Sequence, residues 1–177
     1  MLASPDKKFN LREFQTNLSR QLQAATTRET AFSRLGFQVG KDNWLIALDQ
    51  AEEVIPVPVI IPVPGTQRWF RGMANIRGNL FAVTDFSDFL TGTPTPDSSS
   101  CRLVIAHHQF SVNAALLVNR TLGLKNASVF HSLETVPERP WIARKYRDVT
   151  QDEWIDLNFP ALLSNAEFLK VEADARG

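Results

Sequence analysis

Cysteine is nearly absent: of 177 residues only Cys101 carries a thiol, so no intrachain disulfide can form and the fold must rest on its core. Histidine is scarce too, at three residues, His107, His108 and His131, with none of the separations of a zinc motif. No apolar run reaches the ~18 residues of a membrane span. The N-terminus has Asp6, Lys7, Lys8 and Arg12 but no apolar segment behind them, so it does not read as a signal peptide. Neither charge sign is in excess, 19 basic residues facing 19 acidic ones, which argues against a dedicated nucleic-acid binder. Arg139, Arg144, Lys145 and Arg147 cluster, but Glu138, Asp148, Asp152 and Glu153 flank them and make a solvated mixed-charge surface the simpler reading.

The motifs of chemistry are missing as well. There is no GxxxxGK[ST] or GxGxxG glycine loop and no GxSxG nucleophile turn. If His107 and His108 end a strand, they point to opposite faces and are badly placed to share a metal. Asp85 and Asp88 could be imagined as a carboxylate pair, but one is better read as a helix cap and the other as exposed. The acidic stretch Asp148–Glu153 lacks the glycine and ligand register of a calcium loop and reads as a hairpin tip. An enzyme is the minority reading, and no cofactor or metal is expected.

What is present is β grammar between two helices. Asn10-Leu-Arg-Glu13 forms a capping box, and Leu11, Phe14, Leu18 and Leu22 recur at helical spacing, which predicts a helix over about 10–25. Phe37–Val39 and Trp44–Leu48 flank a turn at Gly40–Asn43. The run from Pro56 to Gly65 has prolines at 56, 58, 62 and 64, each lacking a ladder donor, so it reads as an extended arm rather than a central strand. Residues 71–85 predict a hairpin turning at Gly78-Asn79, with Ala74 and Ile76 on one face and Met73, Asn75 and Arg77 on the other. A short helix over Phe86–Leu90 ends at Gly92. The loop Thr93–Ser100 is the candidate boundary between two parts. Arg102–His107 and Phe110–Val118 are strand candidates, 120–140 is loop-rich, and Lys145–Val149 with Trp154–Leu157 form a last hairpin. Phe159–Leu169 reads as one helix with Leu162, Leu163, Ala166 and Leu169 inward.

The stretch Trp69-Phe-Arg-Gly-Met-Ala-Asn-Ile-Arg-Gly-Asn-Leu-Phe-Ala-Val-Thr-Asp-Phe resembles the signature of the CheW coupling-protein family, with Gly72, Asn75, Arg77, Gly78, Val83 and Asp85 at its key positions. The likeness extends to Asp49, Glu53, Val54 and Ile55, to Arg102–Gly123 and to Trp154–Leu163, covering about residues 32–165. Ala82 stands where the family usually has proline, Asn119 where it has aspartate, and 124–145 fit the pattern poorly. The N-terminal extension, the length and the wording of Trp69–Gly78 look most like the pilus-type paralogues of twitching-motility systems.

The resemblance implies a mostly-β fold of two small five-stranded SH3-like barrels with an added N-terminal helix and a C-terminal helix. The expected division is an extension over 1–31, a CheW-like domain over 32–170 and a tail over 171–177. Its first barrel would span about 32–90 plus a closing C-terminal segment, and its second about 101–158. The resemblance also implies a cytoplasmic, non-catalytic adaptor, peripheral to membrane receptor arrays. Its partners would be the regulatory domain of a CheA-type histidine kinase and the cytoplasmic tip of a methyl-accepting chemotaxis protein. Arg77, Glu53 and Val54 are the implied receptor-facing residues; Arg71, Gly72 and Ala51 the kinase-facing ones; Gly78 and Asn79 the structural turn. Arg77 beside a turn could fork onto a partner carboxylate or carbonyl, or pair internally with Asp85 or Glu53. Gly72 could matter through backbone conformation alone. The alternatives are an inhibitory module that occupies array sites, and a small-molecule-binding or enzymatic barrel.

Overall fold

Two strands in mid-chain are apolar at every position but Arg102, and the fold is arranged around them. The computed structural model describes residues 33–134 and 138–173, so the expected helix over 10–25 lies outside the described residues. Strands β7 (Arg102–Ala106) and β8 (Ala114–Val118) pair antiparallel. Val104, Ala106, Ala114, Leu116 and Val118 face one hydrophobic cluster, while Leu103, Ile105, Ala115 and Leu117 face another. Burial on both faces is what an uninterrupted apolar strand requires.

The pair sits inside one of two six-stranded sheets. Its sheet runs β3 (Ala51–Pro56), β7, β8, β6 (Asn79–Asp85), β5 (Phe70–Ile76), β4 (Ile60–Ile61). The other sheet runs β10 (His131–Leu133), β11 (Ile142–Arg147), β12 (Glu153–Leu157), β2 (Asp42–Ala47), β1 (Ser33–Val39), β9 (Arg120–Asn126). Each contains one parallel ladder between strands distant in sequence, β6 with β8 and β12 with β2.

Two features differ from expectation. The strands do not divide at the 93–100 loop: β1 and β2 share a sheet with β9–β12, because the chain returns twice to complete it. Among the described residues the ladders are two open orders of six strands, not two closed barrels of five. The β3–β8 sheet nonetheless curls. Ala74, Ile76, Val83, Leu103, Ile105, Ala115 and Leu117, with Ile55, Ile60 and Phe81, pack together inside it.

The larger core lies between the sheets. Phe37, Trp44 and Ile46 from one meet Val104 and Leu116 from the other, closed over by Trp141, Phe159 and Leu162. Phe86, fully buried, meets Trp44 edge-on with ring centroids 5.1 Å apart. Phe86 opens helix α1 (Phe86–Thr91), which Asp85 caps and Gly92 ends at φ 72°, as the sequence predicts.

The C-terminal helix is broken. Helix α2 (Phe159–Leu163) stops at Ser164, and α3 (Ala166–Leu169) restarts with Asn165 as its cap, accepting from the N–H groups of Glu167 and Phe168. The break rotates the second part, so Phe168 is buried while Leu169 is 59% exposed and Ala166 faces solvent. The 120–140 segment, expected to be loop, holds β9 and β10. Of the four clustered cations, Arg139, Lys145 and Arg147 pair with Glu167, Glu138 and Glu153, consistent with a mixed-charge surface.

Asp85 is the polar node. It is fully buried and accepts from Thr95 N–H at 2.9 Å, Thr95 Oγ1 at 2.7 Å and Asp88 N–H at 3.2 Å, with Arg71 Nη1 at 3.3 Å. Asp88, expected to be exposed, is buried instead and bound by Arg68 through Nε at 3.0 Å and Nη2 at 2.6 Å. Removing Asp85 orphans donors on three elements. Asp85→Ala is expected to lower unfolding free energy by about 3 kcal/mol, read from urea denaturation midpoints.

Candidate functional site

The hairpin β5–β6 turns one residue earlier than its sequence suggests. Ile76 pairs with Asn79, so the two turn residues are Arg77 and Gly78, at φ 52° and 86°. Positive φ at both centres suits the right-handed twist of a two-residue hairpin. Asn79 therefore belongs to β6, and the Gly78-Asn79 turn is corrected to Arg77-Gly78. Asn75 Oδ1 accepts from Gly78 N–H at 2.9 Å and holds the turn. Arg77 is the unusual member, since a side chain in the left-handed region costs about 1 kcal/mol.

Its guanidinium reaches across the curled sheet. Arg77 Nη2 lies 2.8 Å from Glu53 Oε2, with side-chain exposures of 77% and 24%. Three strand boundaries separate β3 from β6 in the ladder order. The pair thus joins the hairpin tip to the far edge strand through side chains. Asp85, the other internal partner considered for Arg77, belongs to Arg71. Val54, next to Glu53, is half-buried and packs on the main core, so only part of its surface is available to a partner.

Arg71, Gly72 and Ala51 are not gathered in the same way. Arg71 and Gly72 are consecutive in β5, whereas Ala51 starts β3 opposite Ala106 and packs on the main core. Arg71 is one-third exposed, tied to Asp85 and 4.0 Å from Asp97. It lines a small cavity of about 160 Å³ with Val57, Ile60, Pro96 and Leu117. Gly72 is buried at φ 123°, and a Cβ there would lie 2.0 Å from Ile61 O and 2.8 Å from Pro62 Cα. The proline-bearing arm is seated directly on Gly72, and Val59 and Ile61 are exposed along it.

A register slip between Ala51 and Glu53 positions the β3 end of the site. Glu52 is the bulged residue and leaves the ladder. Its carboxylate accepts from His108, at 2.6 Å from Nδ1 and 3.2 Å from the backbone N–H. These bonds, the ring first and the backbone next, hold Glu52 below the ordinary carboxylate range. His107 and His108 are not on opposite faces of a strand: β7 ends at Ala106 and a 3-10 turn over His108–Phe110 follows, which sets the two rings side by side at 4.2 Å.

The unusual residues of the signature have local duties. Ala82 donates its N–H to Asn113 O at 2.9 Å, a bond that proline could not make. Asn119 Oδ1 accepts from Gly40 N–H at 2.7 Å and closes the β1–β2 turn.

A family model for the CheW-like domain matches residues 34–164. The chain belongs to the CheW-like domain family. The match takes in both sheets and all but the last short helix. Among curated proteins the chain is similar to Protein PilI of Pseudomonas aeruginosa, at 26% identity over 146 residues and 80% of each chain. Among solved structures it is similar to the scaffolding protein TtCheW from Thermoanaerobacter tengcongensis, with TM-score 0.61 and 16% identity, covering 72% of this chain and 88% of that one. At that identity the likeness is one of fold. The fold is thus mostly β and CheW-like, as the signature around Arg71–Asp85 implies.

Gly72 sits where a side chain meets backbone, and Gly65 supplies the control, at φ 73° with nothing within 4 Å of its Cβ. Gly65→Ala is expected to cost about 1 kcal/mol through φ alone. Gly72→Ala is expected to cost about 3 kcal/mol, because the arm must move. Urea denaturation reads both, and faster proteolysis within 56–64 in Gly72→Ala alone would mark the displaced arm.

Proposed function

We propose that the chain is a non-catalytic adaptor that couples the cytoplasmic tip of a methyl-accepting chemotaxis protein to a CheA-type histidine kinase. We assign it to a type IV pilus, twitching-motility signalling system, working in the cytoplasm at membrane receptor arrays. Family membership supports the adaptor role, and the similarity to PilI supports the pilus branch.

The observation that carries the reading is Arg77. A non-glycine residue held at positive φ in an exposed turn costs stability that Gly would not, which makes function the reason for its side chain. Its guanidinium is oriented by Glu53 yet 77% exposed, leaving N–H donors free for a partner carboxylate or carbonyl. Receptor contact is assigned to Arg77, Glu53 and Val54. Kinase contact is assigned to Arg71 and Gly72, with Ala51 placed at the opposite edge of the sheet. On this reading Gly72 acts by seating the arm, so its substitution would disturb docking through the arm's position.

Arg77→Gly separates docking from folding, because glycine suits the turn and removes only the guanidinium. Receptor affinity is expected to fall roughly thirtyfold, the equivalent of about 2 kcal/mol, with melting temperature unchanged or raised. Normal receptor pull-down by this variant would remove the site assignment. Reconstituted kinase activity then separates coupling, where the protein raises receptor-controlled activity, from the inhibitory alternative, where it lowers it.

A further inference from the structure

Beyond the docking residues, one cluster of ligating side chains has no role in the adaptor reading. Glu52 leaves the β3 ladder at the bulge, and His107 and His108 leave β7 at its end. Cross-links hold the two segments together: His107 N–H donates to Gln50 O at 3.1 Å, and the Gln109 side-chain amide donates to Asp49 O. Glu52 Oε2 lies 2.6 Å from His108 Nδ1 and 3.6 Å from His107 Nε2, and one donor atom from each of the three residues lies within 4.8 Å of the others. We propose that Glu52, His107 and His108 bind a divalent transition-metal ion.

Two imidazoles and one carboxylate select zinc, nickel, cobalt or copper over magnesium and calcium, which prefer all-oxygen sites. Three donors about 2.1 Å from a tetrahedral ion stand roughly 3.4 Å apart. The His107–Glu52 separation already matches. The His108–Glu52 separation must widen, and His108, 77% exposed, has room to rotate. The same exposure leaves the fourth position to water.

One bond opposes the ion. His107 Nδ1 accepts from Gln109 N–H at 3.2 Å, which places the neutral ring's proton on Nε2, facing Glu52. Binding at Nε2 must shift that proton to Nδ1, at the cost of the Gln109 bond. When bound, the ion ties the start of β3 to the β7–β8 connection, one residue from Glu53.

The test uses the untagged full chain, since a histidine tag would bind the same ions. Cobalt titration at about pH 7.5 reads the visible d–d absorption and zinc competes it away, with magnesium and calcium as controls. Saturable one-to-one cobalt binding is expected, displaced by zinc. His108→Ala and Glu52→Gln should each weaken it at least tenfold, as removing a ligand or its support does, and His131→Ala should not. All three are surface substitutions, so circular dichroism without metal should be unchanged. No saturable cobalt binding, or binding that survives in His107→Ala/His108→Ala, overturns the proposal.

Discussion

Everything in this fold hangs on the β7–β8 pair being buried on both faces. One face supplies Val104 and Leu116 to the core between the sheets, the other supplies Leu103 and Leu117 to the core inside the curled sheet. Two cores that share a wall are coupled, since a side chain cannot be changed in that wall without reaching one of them. The wall also explains the asymmetry of the surface. The candidate residues lie on β3, on β5 and in the β5–β6 turn, while β7 and β8 carry none of them.

Polar groups act where that wall meets the loops. Asp85 ends β6, caps α1 and gathers Thr95 and Arg71 around one buried carboxylate. It thereby fixes the direction in which the chain leaves the hairpin. Arg77 and Glu53 act at the opposite end of the hairpin, in solvent, where an isolated ion pair adds little stability. The signature thus has Arg71, paired with the buried Asp85, at one end and the exposed Arg77, paired outside it with Glu53, at the other.

Local irregularities set the surroundings of the candidate residues. The bulge at Glu52 puts Glu52 and Glu53 in different surroundings, one against the histidines and one against Arg77. The positive φ of Gly72 allows Ile61 to approach, which brings the arm onto the sheet edge.

The sequence by itself determined the elements whose signals are local. The hairpin of residues 71–85, the capped helix after it, the last hairpin and the two-faced strands are written in alternation, caps and turn residues. The family signature marked that hairpin as the candidate site. Even locally, competing signals misled: Gly78-Asn79 looked the better turn, but the pairing of Ile76 with Asn79 requires Arg77 to enter it. Ser164-Asn165 was a readable helix break, overridden by the run of apolar residues on either side. Only the tertiary structure decided the rest. β9 and β10 are sheet-edge strands with mostly solvent-facing residues, so they carry no apolar period to read. The parallel ladders β6–β8 and β2–β12 join segments distant in sequence, as do the meeting of Arg77 with Glu53 and of Glu52 with the two histidines. Such contacts depend on how sheets curl and where a bulge falls, which no window of neighbouring residues encodes.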